Sequence, residues 1–317
     1  VSVPLEVTVP GSLRVANAPV SFGVDEILVQ KAWMPEPDQV LDLIADLGYE
    51  GTELGPPGYL GDGARVRERL ASRGLELVGS FLPLRLTRPE LCWEEDEGFL
   101  EQTLDLLREA AAGRWRPLVV LSDGFDSPLR LRFAGQISRH PEARLPVDRW
   151  QIVADTLHRA AERCLSAGFG AVFHPHAGTY VETPDEIDFL MERVDPSLVG
   201  LCLDTGHVRF GGGDPLALIE RYGPLIRHVH LKDCRASVLE EAARSGGGMD
   251  AALVAGAFVE LGQGDSQVAE VVAALQRIGY QGWLVVEQDR YLFPGDTLDD
   301  LRRAQGRNRE FLRRLGI

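Results

Sequence analysis

The stretch LVGLCLDTGHVRFGGGDPLALIERYGPLIRHVHLKD, residues 198–233, decides the fold. It opens on an apolar, β-rich run, LVGLCLD (198–204). It then crosses a helix-like segment, DPLALIERYG (214–223), and returns in a second such run, IRHVHLKD (226–233). A strand, a crossover helix and a second strand make a unit whose strands run parallel. Each run carries a cation-binding group at or near its end, Asp204 in one and His230 in the other.

The same rhythm extends in both directions. Toward the N-terminus, LRVANAPV (13–20) precedes PDQVLDLIADLG, YEGTELG (49–55) precedes ARVRERLASRG, and LELVGSFLPL (75–84) precedes EGFLEQTLDLLREAAA. PLVVLS (117–122) then leads to DRWQIVADTLHRAAERCLSAG, and GAVFHPH (170–176) to TPDEIDFLMERV. Beyond residue 233 come QVAEVVAALQRIG, the strand GWLVVEQD (282–289) and LDDLRRAQGRNREFLRRLG. Eight strand–helix units predict an α/β protein with the (β/α)8 TIM-barrel architecture, a single domain over 1–317. An open doubly wound sheet would want a Gly-rich turn after the first strand, and PVSFGVDEILVQ (19–30) has none.

Local signals agree. Gly48, Gly74, Gly168, Gly223 and Gly279 close helices as C-terminal caps, and TPDE (183–186) reads as a capping box with Thr183 as N-cap and Glu186 at its third helical position. Two loops are long, at 122–147 and 233–265. Both follow strands, which puts them on the C-terminal face as candidate lids or a homo-oligomer contact.

Composition narrows the function. A net charge of −15 argues against a sequence-independent grip on nucleic acid and gives no help with multiply phosphorylated substrates, so a small neutral polyol or keto-sugar fits better. No apolar run approaches the roughly 18–20 residues that span a bilayer, and VSVPLEVTVPGSL (1–13) lacks the pattern of a secretory signal. Cys92, Cys164, Cys202 and Cys234 have no CxxC spacing and read as reduced thiols of a cytoplasmic protein. Cys202 lies two residues before Asp204, so it shares that residue's face and lines the barrel.

In a parallel barrel the strand C-termini converge on one face. Glu182, a few residues past the fifth strand, Asp204, His230 and Glu287 are therefore expected to form one site for a divalent cation, Mn²⁺ or Co²⁺ by preference and Zn²⁺ as a further candidate. His174 and His176 share one strand face, as do His228, His230 and Lys232. His228, nearest the start of its strand, reads as structural, Lys232 as a partner for an oxyanion or a carboxylate, and GQGD (262–265) as a flexible loop.

On NAPVSFG (17–23), GTELGPPGYLGD (51–62), HPHAGTYVET (174–183), LDTGH (203–207), HLKD (230–233) and YQGWLVVEQD (280–289), the chain resembles the xylose-isomerase-like superfamily of sugar isomerases, epimerases and dehydratases, and within it the inosose dehydratases. The resemblance implies a metal-dependent dehydratase that removes water from a keto-inositol, 2-keto-myo-inositol (scyllo-inosose), in inositol catabolism. It also implies a metal held by strand-end Glu, Asp, His and Glu. One departure stands out: the superfamily's isomerases carry Glu in strand five where this chain has His174, so either His174 or Glu182 supplies the first ligand, and Glu182 is preferred. An imidazole near neutral pKa can take the α-proton and a second acid can protonate the departing hydroxide. These roles fall among His174, His176 and His207 with Lys232, and Glu53 and Asp233 contact substrate. A ketose isomerase or 3-epimerase, a dehydroshikimate dehydratase and a 3-keto-glycoside lyase would use nearly the same residues. A metal-dependent DNA-repair nuclease on this barrel would need more ligands and a basic groove. A non-enzymatic sugar-binding barrel would fold without holding metal.

Overall fold

Eight parallel strands close into a barrel in the computed structural model, which describes residues 13–25, 33–111 and 115–317. The strands are β1 (Arg14–Asn17), β2 (Gly51–Glu53), β3 (Glu76–Leu84), β4 (Leu118–Asp123), β5 (Ala171–Phe173), β6 (Val199–Asp204), β7 (Ile226–Leu231) and, after the short β8 (Asp233–Cys234) and β9 (Phe258–Val259), β10 (Trp283–Val286). β1 pairs with β2 on one side and β10 on the other, which closes the ring. Each barrel strand lies inside the run expected for it, apart from Asp123 at the end of β4. The outer helices match as well, from Pro37–Asp46 to Leu298–Arg314. The expected helix over 97–112 is observed as Glu97–Ala110, and Ala112 lies outside the described residues, as do residues 1–12 of the stretch read for a secretory signal.

Alternation along the strands sorts the two sides of the barrel wall. In β6, Val199, Leu201 and Leu203 join the large cluster shared with the helices, whereas Cys202 packs with Leu118, Val120 and Val172 inside the barrel. Val229 and Leu231 of β7 and Leu284 and Val286 of β10 also face the helices. The intervening residues His228, His230 and Lys232, and Trp283, Val285 and Glu287, therefore fall on the inner face. Each fully buried aliphatic side chain contributes roughly 1.5–3 kcal/mol. That contribution pins the register, because a one-residue slip would turn every such side chain to the wrong side. β6 and β7 pair with Asp204 opposite His230, which sets the two cation-binding groups side by side at the barrel mouth.

The capping box is present, with Glu186 accepting from Thr183 N at 3.0 Å. Gly48, Gly74, Gly168 and Gly279 adopt the left-handed conformation expected of them. Gly223 does not: its φ is −44°, and with Pro224 it opens a short 3-10 turn, Gly223–Leu225, that hands the chain to β7.

Both long loops carry structure. Residues 122–147 hold the helix Pro128–Phe133 and two 3-10 turns. Residues 233–265 hold two helices, Ala236–Arg244 and Gly248–Val254, on the antiparallel pair β8–β9. GQGD is not a loose loop. Gly262 N, Gly264 N and Ser266 N donate to the Asp233 carboxylate at 2.8, 3.0 and 3.0 Å. Among the described residues no helix is long and apolar enough to cross a membrane.

Candidate active site

A cavity of about 410 Å³ opens at the C-terminal ends of the strands. Its charged floor is Glu53, His174, His230, Lys232, Glu287 and Asp289. Its walls are apolar, with Val20 near β1, Phe81 from β3, and Phe125, Leu131 and Met249 from the two long loops.

The floor centres on His230. Its Nδ1 lies 3.1 Å from His174 Nε2, 3.4 Å from Glu287 Oε2 and 3.6 Å from Asp204 Oδ2. His174 Nε2 is 3.5 Å from the same Asp204 oxygen. Donor atoms of Asp204, His230 and Glu287 thus lie within 4.8 Å of one another, and His174, just past β5, meets Asp204 and His230 from the side. On its other side His230 Nε2 meets Glu53 Oε1 at 3.0 Å, and that oxygen also holds His228 Nε2 at 2.6 Å. A carboxylate behind a ligand histidine fixes the ring's orientation and raises its basicity. Glu53, expected as a substrate contact, borders the cavity, and its Oε1 is shared by these two rings. His228 is fully buried, with its Nε2 on Glu53.

The donor set fits a divalent cation. Asp204 Oδ2, the oxygen that faces His174 and His230, is buried without a hydrogen-bond partner, which is costly unless a positive charge balances it. Two imidazoles and two carboxylates suit a borderline ion such as Mn²⁺, Co²⁺ or Zn²⁺. The electrostatics also call for positive charge. Burial opposes charging His230, yet Cys202, Glu287 and Glu53 around it push its pKa well above the ordinary histidine value.

The structure does not bring Glu182 to this cluster. Its two carboxylate oxygens accept from Gly135 N and Gly178 N, both at 2.7 Å, and Arg130 lies 3.8 Å away. Burial pushes its pKa up to about 7 against the pull of Arg130 and the two amides. The buried Arg130 in turn makes a two-pronged pair with Glu186, at 2.8 and 2.9 Å. Glu182 therefore latches the β4 loop to the β5 loop, whereas His174 is the residue after β5 that lies beside Asp204 and His230. Glu182→Ala should leave metal stoichiometry unchanged while costing about 2–5 kcal/mol of stability through two orphaned amides. Denaturant titration beside metal analysis checks this; loss of metal at unchanged stability would restore Glu182 as a ligand.

Asp233, expected as a substrate contact, does not line the cavity. It is buried and also accepts from Cys234 N at 3.0 Å, so its carboxylate is committed to loop backbone. His207 sits behind the cavity wall, stacked on His176 with centroids 3.6 Å apart and with Nε2 3.0 Å from Lys232 Nζ. It also falls with His174 and Asp204 in a group of close ligand atoms, although it does not line the cavity. His176 does border the cavity, between Phe81 and Phe125. Its Nδ1 donates to Ala177 O at 2.8 Å, which leaves the lone pair of the neutral ring on Nε2. Burial, with the charges of His174 and Lys232, lowers its pKa well below the ordinary value and keeps it neutral.

Asp289 is the residue the sequence reading passed over. Its Oδ2 accepts from Lys232 Nζ at 3.2 Å while Oδ1 lies 2.9 Å from the same ammonium; it lines the cavity and has a pKa raised to about 6 by burial and by Glu287, with Lys232 pulling the other way. It lies two residues past Glu287, so the strand period itself places both on one face.

The xylose isomerase-like TIM barrel family model matches residues 41–315. The chain is 36% identical to an inosose dehydratase of Geobacillus kaustophilus, covering 87% of each chain. It is 37% identical to the rhizopine catabolism protein MocC of Rhizobium meliloti, covering 88% of this chain and 82% of the relative. Among solved structures, an L-ribulose 3-epimerase superposes with a TM-score of 0.67 at 18% identity, covering 96% of this chain and 94% of that one, which is a likeness of fold. With its closed parallel barrel and strand-end site, the chain belongs to the xylose isomerase-like TIM barrel family and is an enzyme of that superfamily, akin to its inosose dehydratases.

Proposed function

We propose that the protein is a metal-dependent dehydratase that removes one water from a keto-inositol, with scyllo-inosose as substrate. The observation that carries the reading is the juxtaposition of two things: four facing donors, His174, Asp204, His230 and Glu287, and a neutral imidazole of fixed tautomer on the wall of the same cavity, His176. A divalent cation held by those four residues would polarise the substrate carbonyl and acidify the neighbouring C–H.

The residues then divide the work. His176 Nε2 takes the α-proton, and the C–H pair becomes the double bond of an enolate. The β C–O bond breaks as Lys232 delivers a proton to the departing oxygen, with Asp289 holding the ammonium at 2.9 Å. The product leaves as the enol of a cyclic dione, which tautomerises, and the net change is loss of one water. His207 supports both groups, since it packs on His176 and touches Lys232. Phe81 and Phe125 suit a ring whose equatorial hydroxyls leave C–H bonds on both faces.

The test is mass spectrometry of scyllo-inosose incubated with Mn²⁺- or Co²⁺-loaded protein. The expected result is a product one water lighter that fails to form after chelation. Isomerisation of a ketose without water loss, in the same preparation, would favour an isomerase or 3-epimerase instead.

A further inference from the structure

Lys232 is almost fully buried, yet its ammonium does more than face the cavity. Nζ lies 3.4 Å from Asp204 Oδ2 and 3.0 Å from Glu287 Oε2, the two carboxylate oxygens that also face His230. It lies 2.9 Å from Asp289 Oδ1 and 3.2 Å from Asp289 Oδ2, and 3.0 Å from His207 Nε2. The stem has one route to this position. A Cβ on Gly206 would stand 2.6 Å from Lys232 Cγ and 2.8 Å from Cδ, so the glycine of DTGH is the gap through which the side chain passes.

We propose that Lys232 is the resident counter-cation of the ligand set. It keeps Asp204 and Glu287 paired when no divalent ion is bound and competes with that ion for both. This rests on the metal-binding reading above. Two buried carboxylates left bare would repel each other and destabilise the fold, so a single ammonium lets the protein fold before it is loaded. A divalent ion between the same oxygens weakens the ammonium's hold on them and places like charge beside it. Asp289 and His207 are polar contacts outside the ligand set, and they retain the ammonium once the ion is in. Metal affinity is therefore set by a charge exchange inside the protein as well as by the four ligands.

The test measures Mn²⁺ affinity by calorimetry and the melting temperature of the metal-free protein for wild type, Lys232→Met and Asp289→Asn. Lys232→Met is expected to bind Mn²⁺ more tightly by about 10-fold or more, the scale of coupling between close charge pairs. Its metal-free form should melt lower by on the order of 5–10 °C. Asp289→Asn should bind more weakly, because the ammonium loses its other carboxylate, and the weakening should shrink in a Lys232→Met background. If Lys232→Met does not fold, an unchanged affinity in Asp289→Asn overturns the proposal by itself. Equal or weaker binding by folded Lys232→Met overturns it while leaving the metal reading intact. Failure of every variant and of wild type to bind Mn²⁺, Co²⁺ or Zn²⁺ overturns both.

Discussion

Asp204→Asn is expected to lower Mn²⁺ affinity by at least about 100-fold, more than loss of a supporting partner costs, and turnover by on the order of 10³-fold. The substitution isolates charge from shape. Asp204 Oδ1 caps the helix Thr205–Phe210 by accepting from His207 N at 2.8 Å, and an amide oxygen can do the same. Only Oδ2 changes, and that is the buried oxygen near His174, His230 and Lys232 that lacks a hydrogen-bond partner. Replacing it with an amide removes the anionic donor and leaves Lys232 paired to Glu287 and Asp289. Metal analysis, turnover and melting temperature together decide the matter. Wild-type metal content and activity in a folded Asp204→Asn protein would contradict the ligand assignment.

His176→Asn should behave differently. Among the described residues it removes the only cavity-lining imidazole outside the ligand cluster, so turnover should fall by about 10²–10⁴-fold while bound metal stays at the wild-type level. The effect belongs to kcat, because proton transfer is lost and the four ligands are not. Exchange of the substrate α-proton with solvent deuterium should vanish in step. Exchange that persists at the wild-type rate would move the base to another residue.

Much of this was legible in the sequence because period-2 strands and 3.6-residue helices alternate eight times, and that pattern admits few topologies. Asp204, His230 and Glu287 were legible for the same reason: each sits in register on the inner face of a strand or just past its end. Glu182 was not. β5 ends at Phe173, and the turn HPHAGTYV that follows has no periodicity to say where it leads. The partners that claim Glu182 include Gly135, in a loop 47 positions away. Asp233 misled in a similar way, since nothing in HLKD announces that amides from residues 262–266 will occupy its carboxylate. Glu53 and His230 are separated by 177 positions, and only barrel closure brings them to 3.0 Å. Asp289 was the avoidable omission, because the alternation that selected Glu287 points to it as well.

The most direct measurement is proton NMR of scyllo-inosose in D₂O with metal-loaded wild-type protein, in aliquots quenched by a chelator, beside the Asp204→Ala/Glu287→Ala double variant. Metal-dependent appearance of the dione in wild type, with one deuterium on the carbon that lost its hydroxyl and neither change in the double variant, is the predicted result. A metal-loaded protein that leaves the α-proton in place and forms no dione would contradict the account.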